Sequence, residues 1–394
     1  MKYFSIMICM LGILACSNRQ APNADNADSV GIEEATETVY SLEENIGTML
    51  LVGFRGTELD STKNPEIITA LRDHHVGSVI LFDYDVPTGT RGRNIQSAEQ
   101  LRKLCSQLLS YNRHLLIGID QEGGYVSRLS TRYGFPRIPS AQKLGIQPED
   151  TLRHYASLTG EMLSSLGINL DFAPVADVNI NPRCPVIGGI ERSFSDNPER
   201  VKDYCRLWIE TVSKYHVVSC LKHFPGHGSA TGDTHMGLVD VTDTWQRSEL
   251  LPYTGLHQNT LDRKTMVMTA HVINRQLDPS GLPASLSPRI TSYLRDTLGF
   301  QGVIVTDDLA MGAIVQQYSF EQAVRMAVLA GADLLCLSNN GGTYDRQMVP
   351  RAVKVIKQMI DEGSVDEKRI QHSAERVRRL WVQSDRADRT ASER

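Results

Sequence analysis

From about residue 45 onward, short runs of continuous apolar residues alternate with longer stretches in which apolar positions recur every three or four residues. The short runs are Met49–Phe54, Val76–Phe82, Leu115–Asp120, Leu170–Val175, Val217–Lys222, Met266–His271, Val303–Asp307 and Leu334–Leu337. A run that is apolar at nearly every position suits a parallel strand covered on both faces; a strand with one wet face would alternate. The helical stretches include Ile95–Tyr111, Thr151–Leu166, Pro198–Tyr215, Pro288–Leu298, Phe320–Ala330 and Arg351–Asp361. In the first of these, Leu101, Leu104, Leu108 and Leu109 fall on one face. Eight strand candidates separated by helices predict an α/β fold, a single TIM-like (β/α)8 barrel spanning residues 41–394. The competing arrangement is an open doubly wound sheet. That sheet would carry a glycine-rich phosphate loop after its first strand, and Gly53-Phe54-Arg55-Gly56 does not supply one.

The start of the chain follows another pattern. Lys2 precedes an apolar run from Tyr3 to Leu14, then Ala15 and Cys16. A basic start, a short apolar centre and a small residue before a cut describe a secretory signal, and the run is too short for a stable membrane span. Ile13-Leu14-Ala15-Cys16 resembles the lipobox of bacterial lipoproteins, which implies that residues 1–15 are removed and Cys16 is acylated. The alternative is an ordinary signal peptide cut nearby, with Cys16 a chance thiol. Residues 16–40 are rich in Ala, Asn, Asp, Glu and Thr and poor in large apolar groups, so they read as an acidic flexible tether. The expected location is the cell envelope, facing the periplasm, with the membrane contacted through the lipid alone.

Composition removes several function classes. With 41% hydrophobic and 22% charged residues the chain is ordinarily globular. Its net charge of -5, without a basic cluster, argues against a nucleic-acid partner. Cys105, Cys184, Cys205, Cys220 and Cys336 follow Cys16; they are odd in number and form no CxxC pair, so neither a disulfide framework nor a zinc site is expected. No metal cluster, dinucleotide loop or cofactor lysine is visible, and no cofactor is expected. A monomer is expected.

In an α/β barrel the reactive groups stand at the C-terminal ends of the strands. The third run ends in Asp120-Gln121-Glu122, and the fourth leads to Asp171, Asp177 and Asn179. The fifth ends in Lys222-His223, the sixth in His271, and the seventh in Thr306-Asp307-Asp308. Acids and bases on several strand ends suit a polar substrate, although some of them serve as helix caps; Asp308 is the strongest candidate for that.

Four segments now carry a resemblance. They are Asp120–Arg128 (DQEGGYVSR), Gly189–Phe194 (GIERSF), Lys222–Gly228 (KHFPGHG) and Gly299–Met311 (GFQGVIVTDDLAM). Together and in this order they resemble glycoside hydrolase family 3, specifically its NagZ-type β-N-acetylhexosaminidases, over roughly residues 45 to 375. The resemblance implies a carbohydrate substrate, N-acetylglucosaminides such as peptidoglycan-derived muropeptide fragments. It implies Asp307 as nucleophile and Asp120, Arg128, Arg192, Lys222 and His223 as sugar-binding residues. It also implies an acid/base made of His235 and Asp233, where most glycosidases use a second carboxylate. The chemistry is consistent with that assignment. A histidine titrates near neutrality and can give and recover a proton, while an aspartate fixes its tautomer. Gly226, Gly228 and Gly232 would let the loop swing the dyad. Tyr125 departs from the arginine common at its place. A β-glucosidase, a β-N-acetylglucosaminide phosphorylase and a catalytically silent wall-binding lipoprotein remain as alternatives. The retention of Asp307, Asp233 and His235 in one chain speaks against the last.

Overall fold

The computed structural model describes residues 40–384. The signal peptide, Cys16 and nearly all of the tether lie outside the described residues. Within them, each of the eight apolar runs contributes a strand: β1 Leu50–Gly53, β2 Ser78–Leu81, β3 Leu116–Ile119, β4 Leu170–Asp171, β5 Val218–Phe224, β6 Thr265–Thr269, β7 Val303–Thr306 and β8 Leu335–Leu337. Consecutive strands from β1 to β7 pair in parallel, and β1 pairs with β8 with Leu50 opposite Leu335. The ring closes between β7 and β8 through a parallel bridge, Val305–Leu334. There the Thr306 amide donates to the Leu334 carbonyl and the Leu334 amide to that of Ile304, both at 3.1 Å. The result is the (β/α)8 barrel.

Helices wrap the ring: α1 Leu42–Thr48, α2 Pro65–Arg72, α3 Ala98–Tyr111, α4 Ala141–Gly145, α5 Glu149–Ser165, α6 Pro198–Val212, α7 Pro288–Ser292, α8 Gly312–Val315, α9 Phe320–Ala330, α10 Met348–Asp361 and α11 Glu367–Ser384. Their starts follow local chemistry. Ser97 caps α3 by accepting the Gln100 amide at 3.1 Å, and Asn197 caps α6 ahead of a proline, whose missing N–H is unneeded in a first turn. The expected helix over Pro288–Leu298 divides: α7 ends at Ser292 and a π-helical turn follows over Tyr293–Thr297. The fourth strand is also shorter than its run, since only Leu170 and Asp171 pair fully and Val175 rejoins the sheet as one bridge to Lys222.

Both faces of the barrel wall are dry. Inside, Leu51, Ile80, Leu116, Leu170, Phe172, Val218, Cys220, Met266, Met268, Val303, Val305 and Cys336 form one cluster; outside, Leu50, Val52, Val79, Ile117, Leu221, Val267, Ile304 and Leu335 belong to the core beneath the helices. The inner cluster is closed by Val377, Leu380 and Trp381 of α11. Each such aliphatic side chain contributes roughly 1.5–3 kcal/mol by leaving water. The five cysteines after Cys16 are buried and unpaired, packing as small apolar residues.

Candidate active site

The polar strand ends converge on one cavity of about 540 Å³, lined by Asp120, Glu122, Arg128, Arg192, Lys222, His223, His227, His235, Asp307 and Asp308 among others. It therefore gathers every candidate site residue of the barrel except Asp233, which is joined to it through His235.

Its floor is an ion-pair cluster. Lys222, at the end of β5, places its ammonium 2.8 Å from Asp120 and 2.6 Å from Glu122. Arg192 grips Glu122 with two bonds, Nε to Oε2 at 2.7 Å and Nη2 to Oε1 at 2.8 Å, and Arg128 reaches Asp120 at 3.2 Å. Burial pushes the Asp120 carboxyl upward, but Lys222 and then Arg128 outweigh it and hold the group well below the usual carboxylate range. Burial likewise disfavours the charge on Lys222, yet Asp120 and Glu122 hold its proton more firmly than usual. Asp120 and Glu122 are thus fixed anions, unfit to deliver a proton. Glu191, the other acid in that region, turns to Ser140 and Lys143.

Behind the floor sits Asp177, fully buried. It accepts Nδ1–H of His223 at 2.7 Å and the backbone amide of His227, also at 2.7 Å. The acceptor nitrogen Nε2 of His223 then faces Arg192 at 3.4 Å. Burial raises and His223 lowers the Asp177 carboxyl, with a net fall below its ordinary value. The sequence marks Asp177 as a strand-end acid but gives it no role; its role here is to orient His223.

Asp307 follows directly on β7. Among the described residues its Oδ1 accepts only the amide of Asp308, at 2.8 Å, and no cation is paired with it. Burial pushes its carboxyl up, while His271 and His223 nearby hold it below the ordinary value. Asp308, expected as a helix cap, does something else. Its Oδ1 accepts the amides of Ala310 at 3.1 Å and Ser338 at 3.0 Å, and its Oδ2 accepts the Ser338 hydroxyl. The helix that follows, α8, has Met311 at its N-cap with no side-chain bond. Asp308 therefore ties the loop after β7 to the loop after β8.

The dyad lies on the loop after β5. Asp233 Oδ1 accepts both the backbone amide of His235 at 2.8 Å and its ring Nδ1–H at 2.7 Å, and His235 lines the cavity. Four contacts fix this loop. His227 Nε2 meets the Thr234 hydroxyl at 3.2 Å, the Ala313 amide donates to the Thr234 carbonyl at 3.1 Å, and Gln316 donates to the Met236 carbonyl at 2.9 Å. At Gly312 an added Cβ would lie 2.3 Å from the His235 carbonyl oxygen. The loop thus rests on α8, just beyond the Asp307 strand. Gly228 also serves packing here: a Cβ there would sit 1.7 Å from the Val178 carbonyl. His227 and Thr234 escape sequence reasoning as loop anchors, although the second histidine of KHFPGHG is a signal for one.

Comparisons with known proteins give the family. Residues 41–380 match the glycosyl hydrolase family 3 N-terminal domain. A β-hexosaminidase of Alkalilimnicola ehrlichii is 34% identical over 334 residues, covering 82% of this chain and 87% of that protein. A family 3 β-N-acetylglucosaminidase structure from Paenibacillus superposes with a TM-score of 0.76 at 31% identity, covering 88% of this chain and 63% of its own. A β-N-acetylhexosaminidase structure from Beutenbergia cavernae gives 0.75 at 28% identity, with 88% of this chain and 100% of its own covered. This chain accordingly spans a little under two thirds of the Paenibacillus structure and the whole of the Beutenbergia one. A family match over almost the entire barrel, together with strand-end acids and bases meeting in one cavity, places the chain in glycosyl hydrolase family 3, as a glycoside hydrolase.

Proposed function

We propose that the chain is a retaining exo-β-N-acetylhexosaminidase that releases terminal, non-reducing β-linked N-acetylglucosamine. The observation that carries the reading is how the cavity divides its acids. Asp120 and Glu122 are bound to Lys222, Arg192 and Arg128, and Asp308 is bound to the Ser338 hydroxyl and amide, which leaves Asp307 as the cavity carboxylate held by no side chain among the described residues. The same cavity is lined by His235, itself held by Asp233. The names of the relatives support N-acetylhexosamine as the sugar released.

In this mechanism Asp307 attacks the anomeric carbon while His235 protonates the departing oxygen, giving a glycosyl-aspartate ester. His235 then takes a proton from water, which releases the sugar with net retention. Asp233 holds the imidazole in the productive tautomer. Asp120, Arg128, Arg192, Lys222 and His223 would bind the sugar hydroxyls and acetamido group. Peptidoglycan-derived fragments are the proposed physiological substrate, met at the cell envelope by a protein anchored through acylated Cys16.

The deciding experiment is product analysis on p-nitrophenyl β-N-acetylglucosaminide by proton NMR, with and without phosphate. β-N-Acetylglucosamine should form first in both cases. Initial release of the α-anomer would exclude retention, and N-acetylglucosamine 1-phosphate as the main product would make the protein a phosphorylase. Separately, full-length protein made in a bacterial host should partition into detergent and Cys16→Ser should not. A Cys16→Ser protein that still fractionates with membranes would remove the lipid anchor.

A further inference from the structure

His271, just past the end of β6, is wholly buried and does not line the sugar cavity. Both of its ring nitrogens are engaged. Nε2 lies 2.8 Å from the backbone carbonyl of Asp308, and Nδ1 lies 2.6 Å from the Ser285 hydroxyl. A carbonyl oxygen can only accept, so Nε2 carries a hydrogen and donates it. Ser285 is itself fixed, since its amide donates to the Ala270 carbonyl at 2.9 Å. The ring is thus braced on one side by the segment Ala284–Leu286 and aimed on the other at the residue that follows Asp307.

That residue controls the Asp307 carboxylate. The amide of Asp308 is its sole donor among the described residues, at 2.8 Å from Oδ1, and none reaches Oδ2. Any rotation of the peptide between Asp307 and Asp308 would turn the carboxylate with it. Two bonds to the β6 segment bracket this peptide. Before it, the Asp307 amide donates to the Thr269 carbonyl at 3.0 Å. After it, His271 donates to the Asp308 carbonyl. The same carbonyl also accepts the Met311 amide at 3.0 Å, but Met311 belongs to the same loop and would move with it.

Building on the hexosaminidase reading of Asp307, we infer that His271 is a positioning residue for the attack. By fixing Asp308 through Nε2–H, it commits Oδ1 of Asp307 to the amide and presents Oδ2 as the oxygen that bonds to the anomeric carbon. His271 itself touches neither the sugar nor the reacting atoms.

The test separates the two ring contacts. A glutamine amide nitrogen falls near Nε2 and keeps the bond to Asp308. An asparagine amide reaches only as far as Nδ1 and keeps the contact with Ser285 alone. Full-length protein, His271→Gln and His271→Asn are each treated with a 5-fluoro-N-acetylglucosaminyl fluoride, and ester formation on Asp307 is timed by mass spectrometry. Fluoride leaves without a proton, so the rate reads the attack apart from the acid. At saturating reagent His271→Asn should label about 10–10²-fold more slowly, the scale of a misplaced reacting atom. Its half-saturation should not change, because the sugar contacts are intact, and His271→Gln should label at close to the unaltered rate. Equal rates in all three proteins, equal losses in the two variants, or a loss confined to half-saturation would each overturn the role. Should His271→Asn fail to fold, Ser285→Ala decides: releasing the brace on Nδ1 should slow labelling at unchanged half-saturation, and an unchanged rate overturns the role. If the unaltered protein takes no label, the assignment of Asp307 fails and the role of His271 with it. If it labels and the variants match it, the positioning role alone fails.

Discussion

Replacing Asp307 by alanine removes the cavity carboxylate that, among the described residues, neither a cation nor another side chain holds, so turnover should fall by at least about 10⁴-fold with sugar binding largely kept. Labelling by a slow fluorinated substrate, read by mass spectrometry, should fall on Asp307; a label on Asp308 would sink the assignment. His235→Ala should act selectively. An activated aryl group leaves without a proton, so its release should suffer little, whereas a poor leaving group should be cleaved about 10²–10⁴-fold more slowly. Added azide should then restore turnover of the aryl glycoside as glycosyl azide. Equal losses on both substrates with no azide product would make His235 a structural residue. Asp177→Asn should raise KM more than it lowers kcat, because it unsettles the His223 ring and leaves Asp307 and His235 in place. At this scale the sequence locates the polar residues that line the cavity, since a polar group ending an apolar run stands at the barrel's mouth. It does not reveal which acids are neutralised. Lys222 and Asp120 are 102 residues apart, and Arg192 and Glu122 are 70 apart; only the closed ring brings them together.

A packing contact between elements helps to set where the dyad stands. A methyl group at Gly312 would overlap the His235 carbonyl, so Gly312→Ala should push the loop away from α8. The expected result is a loss of about tenfold or more on poor leaving groups, little loss on aryl glycosides, and a nearly unchanged Tm. Beneath the same loop, Glu249 is buried and accepts the Gln246 amide at 3.0 Å. Burial pushes its carboxyl from 4.5 up to about 7. Below pH 4.5 the folded and unfolded chains are both protonated there. Between 4.5 and 7 only the unfolded chain loses the proton, so stability falls across that window and levels off above it. The full effect is of order 2–3 kcal/mol. Glu249→Gln should flatten this part of the stability profile, measured as Tm between pH 4.5 and 7.5; an unchanged slope would show that Glu249 does not cause it. The strands were legible because both of their faces are dry. Helix ends were less so: α10 begins at Met348 rather than Arg351 because Pro350 is tolerated in a first turn, and the π-helical turn after α7 leaves no mark in an apolar period.

For the molecule as a whole, the floor of the barrel is the test of architecture. Leu380 of α11 is 1% exposed and packs into the inner cluster. Leu380→Ala should cost about 2–5 kcal/mol in urea unfolding while leaving KM unchanged, because α11 closes the end of the barrel away from the cavity. This helix was hidden in the sequence: Ile370, Ala374, Val377 and Leu380 are scattered among charged residues, and their common partner, the barrel interior, exists only after the ring has closed. The closed ring also fixes a charge balance that has a chemical consequence. In the resting cavity Lys222, Arg192 and Arg128 face Asp120, Glu122, Asp307 and Asp308, three cations against four carboxylates. Esterification of Asp307 would remove one carboxylate and none of the cations, and so bring the two signs level. For the lifetime of the intermediate the cavity would lose its excess of acids in a poorly screened site, so small anions should be repelled less beside the glycosyl ester at the moment it awaits an acceptor. The choice between water and an anionic acceptor would then depend on which anions the surroundings supply.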